Sequence, residues 1–507
     1  FFVSLFYILL IICFFNKIKY IALLGVLLSS LISCEGDFLN TDPTDRVSTD
    51  AATGTADNLM LIINGMHRNM YVRQNGSQGQ IGQSGVMIMM DALGDDLVFP
   101  STGNGYYIST VRWQDQNNPN GSNLYFPYQF YYSMIKNANA IILNYSKAKG
   151  DANVIKKAAG EAYAYRAFCY FNLVQLYGKR YVAGQNNSQL GVPLRLDESY
   201  DPLKRSTVEE VYNQINSDLD NALMNLDGQT RFSKSHFNVN VVKGLIARVA
   251  LTQGNYVKAA TYAKEARTGL SLMSTSVYKA GFNNLEGNGE WMWGSQINED
   301  QSEYFGNFGA YMSRNFSSTN IRSAPKAMSK KLFDKFPSSD VRTQVVDPTG
   351  AHTALGLASN FSKYAYTSQK FLAVSASDSR MDVPYMRAAE MYLIEAEALA
   401  RQGKESESKI VFNALETARN PSYVATTLTG EAYIQRILDS RRIELWGEGF
   451  RFFDLKRLNV SLDRTGSNFN TTVVNSVLTI PSDDKRWTYL IPQSEINANP
   501  LCEQNEL

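Results

Sequence analysis

The sequence is poor in the residues that most often carry chemistry. Its 507 residues include three histidines, His67, His236 and His352, and no HExxH pair. That shortage argues against metal catalysis and against a histidine-dependent triad. Four cysteines stand far apart at positions 13, 34, 169 and 502 with no CxxC among them, so the chain has neither a zinc knuckle nor a redox motif. No GxSxG or Walker loop stands out. An excess of positive charge is missing too. Lys plus Arg number 49 against 48 Asp plus Glu, a net charge of +1, which argues against a nucleic-acid binder. What the chain has is apolar and aromatic mass: 44% hydrophobic residues, with 29 Tyr and 26 Phe, enough for a packed core.

The first 33 residues hold two bases, Lys17 and Lys19, and no acid. An apolar run from Ile21 to Leu28 follows, then Leu31-Ile32-Ser33-Cys34. This order predicts a secretory signal over 1–33 with cleavage before a lipid-modified Cys34. Two or three acyl chains on one cysteine anchor a protein stably, where one does so marginally. A membrane-spanning helix is the competing reading; the two lysines split the apolar stretch, and Phe1–Phe15 is short of the roughly 20 residues a span needs. The chain does not open on Met, and Phe1–Phe15 is compatible with upstream translation and a start near Asn16.

Residues 34–50 read as a polar tether, and 51–507 as one domain. Apolar spacing predicts helices over 51–70, 125–145, 154–177, 206–226, 385–402, 406–419 and 430–446. Ser206 with Glu209 reads as a capping box, Gly178 as a helix C-cap, and Cys169 as an inert buried thiol. Residues 238–268 form a helix–turn–helix with tetratricopeptide character around Gly254, where Ala247, Ala250, Tyr256, Ala259, Ala263 and Ala266 take the small and aromatic positions. A weaker copy lies around Gly403, with Tyr392, Ala396, Leu399 and Phe412. The fold class is therefore mainly α: tetratricopeptide-like helix pairs forming a scaffold. Two segments, 74–123 and 272–383, are rich in Gly, Asn and aromatics and read as irregular regions carried by the helices. Within the second, Glu290-Trp291-Met292-Trp293-Gly294 alternates like a strand, which would put both tryptophans on one face.

The run from Arg441 to Arg457, RRIELWGEGFRFFDLKR, resembles the signature of the SusD/RagB family. So do Tyr489–Pro500, Pro384–Leu393, Gly160–Ala167 and the opening Cys34-Glu35-Gly36-Asp37-Phe38-Leu39. The ending Gln504-Asn505-Glu506-Leu507 departs from the family's usual tail. The resemblance implies four tetratricopeptide-like helix pairs, a lipoprotein facing outward from the outer membrane, and a SusC-like TonB-dependent transporter as partner. It further implies a non-catalytic protein that captures glycans, or peptides, for import.

Aromatic rings stack on the C–H faces of sugars, and amides and charges bond their hydroxyls. Two irregular stretches qualify: Tyr106, Tyr107, Arg112, Trp113 and Asn117; and Trp291, Trp293, Tyr304 and Tyr311. Trp113 is the favoured contact because the polar run Gln114–Asn118 after it looks solvated. Core packing is the competing reading for Trp291 and Trp293, and the favoured one for Trp446 and Trp487. Asp91, Asp95 and Asp96 could form a Ca²⁺ site or a helix end with solvated or capping carboxylates. Arg441 and Arg442 read as part of an ion-pair network with Glu444 and Glu448. A glycoside hydrolase and a protein-interaction scaffold remain the rival classes.

Overall fold

The computed structural model describes residues 2–29 and 49–506. Cys34, the expected cleavage site and residues 34–48 of the expected tether fall outside the described residues, while Thr49 and Asp50 open a short helix, Thr49–Thr53. Two compact units are present, 1–52 and 53–507. In the first, Phe2–Ser29 is one helix (α1) that runs through Lys17 and Lys19.

The second unit is mainly helical. Its long helices are α2 (Ala56–Asn69), α3 (Gly82–Ala92), α4 (Ser122–Asn144), α5 (Ala152–Tyr177), α6 (Val208–Leu226), α7 (Val239–Gln253), α8 (Tyr256–Ala266), α9 (Ala388–Arg401), α10 (Glu405–Arg419), α11 (Gly430–Glu444) and α12 (Arg451–Leu458). Each of α4 to α9 packs on the next, and α9 also carries α11. The two expected repeat turns are present. Gly254 ends α7 at φ +73°, and Asn255 at once caps α8 by accepting from the Lys258 amide at 3.1 Å. Gly403 lies at φ +75° between α9 and α10. Ala247, Ala250, Ala259, Ala263 and Ala266 are buried, as small residues between closely packed helices should be.

Three expectations about elements are corrected. The helix expected over 51–70 breaks at Gly54, because Thr55 turns extended and its hydroxyl caps α2 on the Asn58 amide at 3.2 Å. The capping box of α6 is one residue later than Ser206 and Glu209: Thr207 Oγ1 accepts from the Glu210 amide at 3.1 Å, while Glu210 Oε2 accepts from the Thr207 amide at 2.8 Å. Residues 82–92, expected to be irregular, form α3, and every residue of it is buried. A helix buried all round, with Gln83, Ser84 and Asp91 inside as well, shows no amphipathic period to read.

Short strands tie the irregular segments together. Leu97–Val98, Ala327–Met328, Thr367–Ser368 and Val346–Asp347 form one antiparallel sheet in that order. Trp291–Ser295 pairs antiparallel with Val383–Arg387, but the register shifts between Trp291 and Trp293. That irregularity replaces the expected alternation. Trp291 meets Phe282, while Trp293 meets Phe168, Phe237 and Tyr385.

The C-terminal signature is where the helices are bolted to one another. Glu444 accepts from Arg387 at 3.0 Å and from Arg419 at 3.0 Å; Glu448 accepts from Lys370 at 2.6 Å and from Arg387 at 2.9 Å. Glu290 completes the group on Arg387 and Arg419. The expected pairing of Arg441 and Arg442 with Glu444 and Glu448 is not made: the two glutamates are taken by Arg387, Arg419 and Lys370 from other elements, and the two arginines find other carboxylates. Arg441 pairs with Asp454 and Arg442 with Asp95, Asp96 and Asp439. Gly447 and Gly449, at φ +79° and +85°, aim Glu448 inward; a Cβ would lie 2.5 Å from the Phe371 ring at one and 2.6 Å from Met87 Cα at the other. Lys456 donates to the carbonyls of Gln175, Gly178 and Trp487 at 2.6–2.8 Å, so a cation closes the C-terminus of α5. Cys169 is buried in α5, and burial pushes its thiol well above its ordinary pKa, so it is unreactive.

Candidate ligand-binding site

Residues 72–80, 102–107 and 303–311 converge into one rim. Tyr107 adopts φ +62° and sends its hydroxyl to the Gly79 carbonyl at 2.6 Å; the Tyr106 hydroxyl donates to Gln78. Both rings stand edge-on to Tyr311, with centroids at 5.3 Å and 5.5 Å. The Tyr311 hydroxyl donates to the Phe305 carbonyl at 3.1 Å. Burial raises the Tyr107 and Tyr311 phenols far above their ordinary pKa, so both stay neutral donors. Arg73 and Glu303 join the first and third segments through an ion pair of 2.7 Å.

On this support Tyr304 and Phe305 face outward, 51% and 43% exposed, with their rings edge-on at 4.6 Å. Phe316 backs Tyr304 at 5.0 Å, and Ser379 Oγ donates to the Tyr304 carbonyl at 2.6 Å. Asn307 ties the same loop to Ser302 and Ser379. An adjacent exposed aromatic pair on a loop so fixed presents flat apolar surface at little ordering cost. Charged and amide groups lie beside it in Arg73, Glu303 and Gln78.

The expected residues therefore divide. Tyr106, Tyr107, Tyr304 and Tyr311 come together, with Tyr107 and Tyr311 as buried supports rather than contacts. Trp113 is a correction. It is 2% exposed, its Nε1 donates to the Leu93 carbonyl at 3.0 Å, and its ring stands edge-on to Trp487 at 4.7 Å. No sugar can stack there. The run after it is not all solvated either: Asp115 is buried and accepts from Thr110 and Asn123, and Gln116 is buried beside it. Arg112 is committed to the carbonyls of Val473 and Thr472. Asn117 is exposed on the turn that follows. Trp291 and Trp293 are fully buried and leave the site for the core, as the packing alternative held. Trp446 and Trp487 are buried as well. Sequence reasoning missed Arg73, Gln78, Glu303 and Phe305. Of these, only Phe305 carried a signal, its place beside Tyr304.

Asp91, Asp95 and Asp96 are neither solvated nor arranged as a Ca²⁺ cage. Asp95 bonds Arg451, Asp96 bonds Arg442, and Asp91 accepts from the amides of Gly449 and Arg451 at 2.9 and 3.1 Å. The oxygens a calcium ion would need are occupied by guanidinium and amide donors.

The fold is a helical-repeat scaffold that carries an exposed aromatic rim. Residues 339–507 match the SusD family model, and residues 69–251 match the family described as starch-binding and associating with the outer membrane. The chain belongs to the SusD/RagB family. It is 26% identical to SusD-like protein P2 of Formosa agariphila, over 71% of this chain and 75% of that one. A 131-residue stretch is 34% identical to the starch-binding protein SusD of Bacteroides thetaiotaomicron, covering 25% of this chain and 21% of that protein. A SusD-like carbohydrate-binding protein of Bacteroides vulgatus superposes with a TM-score of 0.78 at 23% identity, over 90% of this chain and 99% of that one, a likeness of fold.

Proposed function

We propose that this protein captures glycans at the cell surface and passes them to a SusC-like TonB-dependent transporter in the outer membrane, without catalysing their cleavage. The observation that carries the reading is the exposed Tyr304–Phe305 pair on its fixed loop, beside Tyr106 and the Arg73–Glu303 pair. The family membership supports it, since the relatives' names are those of carbohydrate- and starch-binding proteins.

Calorimetric titration with oligosaccharides, maltooligosaccharides first, tests the site. Tyr304→Ala and Phe305→Ala should each raise Kd about ten- to hundred-fold, as anchor aromatics do. Melting should stay unchanged, because exposed rings support little core. A double variant that binds like the parent sinks the assignment. The oligosaccharides should be recovered intact; reducing-sugar release that follows the protein through purification overturns the non-catalytic reading.

We place the protein on the membrane through acylation of Cys34. Cys34→Ala should abolish palmitate labelling and release the protein into the soluble fraction. A variant that still labels and still sediments with the outer membrane defeats that placement.

A further inference from the structure

Two of the three histidines meet at one carboxylate. His67 stands in the last turn of α2, Glu161 in α5, and His236 in the loop just before α7. The two histidines are 169 residues apart in the chain, yet His67 Nε2 lies 3.0 Å from His236 Nδ1. Glu161 Oε1 is 2.9 Å from His236 Nδ1, and Glu161 Oε2 is 3.4 Å from His67 Nε2. Glu161 is fully buried, and the histidine side chains are 11% and 8% exposed.

Protons alone serve this arrangement poorly. A proton on His236 Nδ1 is used by Glu161. One on His67 Nε2 would then face another N–H across 3.0 Å. One without a proton leaves that nitrogen competing with the carboxylate for a single hydrogen. A cation resolves the conflict by giving both nitrogens and the carboxylate one partner. The distances suit it. Tetrahedral ligands at about 2.0–2.1 Å from zinc lie roughly 3.3 Å from one another; here the two nitrogens stand 3.0 Å apart, with carboxylate Oε1 2.9 Å from His236 Nδ1 and Oε2 3.4 Å from His67 Nε2.

We propose that His67 Nε2, His236 Nδ1 and the Glu161 carboxylate bind a divalent transition-metal ion of the Zn²⁺ class, with the fourth position left to water. Two imidazoles and one carboxylate are donors that suit Zn²⁺ rather than Ca²⁺ or Mg²⁺. The surroundings hold the ligands in place. The Tyr165 hydroxyl meets His67 Nδ1, the nitrogen turned away from the ion, and the Phe237 amide donates to Glu161 Oε2 at 3.2 Å. Phe232, exposed, lies against His236 at 5.8 Å, with the Lys157 ammonium 4.5 Å over its ring, and forms the outer cover. The ion would tie α2, α5 and the loop before α7 at one point.

The test uses the chain from 35 to 507 without a histidine tag, stripped with EDTA and titrated with ZnCl₂. One equivalent should bind, with a rise in melting temperature, and Co²⁺ in its place should give the intense visible absorption of a four-coordinate site. His236→Gln should lose both the stoichiometric uptake and the melting shift. Tyr165→Phe should weaken binding roughly ten- to hundred-fold. His352→Gln should change nothing, because its two nitrogens are taken by Gln369 and Thr367. A parent protein that takes up no zinc and shows no shift overturns the proposal, and needs no variant to fold. So does a His236→Gln protein that binds one equivalent as before, since the ion would then sit elsewhere.

Discussion

Replacing Glu444 by glutamine is expected to destabilise the fold by about 3–5 kcal/mol, as removing one partner of a buried charge group does. Glu444, Arg387, Arg419 and Glu290 are all fully inaccessible, so no water can take over the lost carboxylate. Arg387 and Arg419 would be left sharing Glu290 and Glu448. Urea unfolding at neutral pH measures the loss. The effect should also depend on pH in a defined direction. Burial would raise the Glu444 carboxyl, but Arg419 and Arg387 outweigh it and hold it well below its ordinary 4.5. A group with a depressed folded pKa stabilises fully above its unfolded value and loses that contribution as pH falls through the folded one. The gap between parent and Glu444→Gln should therefore be constant above about pH 4.5 and close below it. Asp95, buried but brought to about 2 by Arg451 and Arg442, loses its share between 3.8 and about 2. Asp91 runs the other way, since burial lifts it to about 7 and its contribution fades as pH rises from 3.8 towards that value. A variant as stable as the parent at pH 7 would mean that the arginines hold one another's charge without Glu444.

Trp113→Ala should cost about 3–5 kcal/mol of stability, the range for a large ring removed from a packed core. The ring fills space against Trp487 and Phe452, and its loss leaves the Leu93 carbonyl without its donor. Any fall in glycan affinity should follow the fraction unfolded and vanish where the variant is fully folded. Denaturation curves set beside titrations at low temperature separate the two. A Trp113→Ala protein with the parent's stability and weakened binding would return this residue to the recognition edge.

The contrast between Trp113 and Tyr304 shows what a sequence discloses about this site. Both sit in irregular aromatic stretches, and both carried the same signal of a ring beside polar residues. What separates them is whether the neighbouring polar groups find partners inside the protein. Asp115 does, through Thr110 and Asn123, and a run of Gln, Asp and Asn reads the same whether water or protein satisfies it. The helix pairs were legible because their signals are local: a turn glycine, and small residues three and four apart. Gly254 and Gly403 both mark real turns for that reason. The fate of Asp95 and Asp96 was not legible. Their arginines lie some 350 residues away, and nothing local distinguishes a carboxylate awaiting a guanidinium from one awaiting calcium. Arg73 and Glu303 were missed likewise, as a pair made only by the fold.

The spacing of the charge network along the chain sets an order of events during synthesis. Lys370 and Arg387 leave the ribosome 78 and 57 residues before Glu448 and Glu444, their closing partners. Until those carboxylates arrive, Arg387 at the end of its strand has Glu290 to offset it and Lys370 lacks Glu448, and burying such cations is costly. The early loop waits as well: Arg112 for the carbonyls of 472–473, and Trp113 for Trp487. The nascent chain can therefore form its helix pairs one at a time, but it cannot close the interior until residues 444–487 emerge. A chain stalled before Glu444 would keep its repeats and lack a finished core, the kind of partly closed species that proteases and aggregation select against.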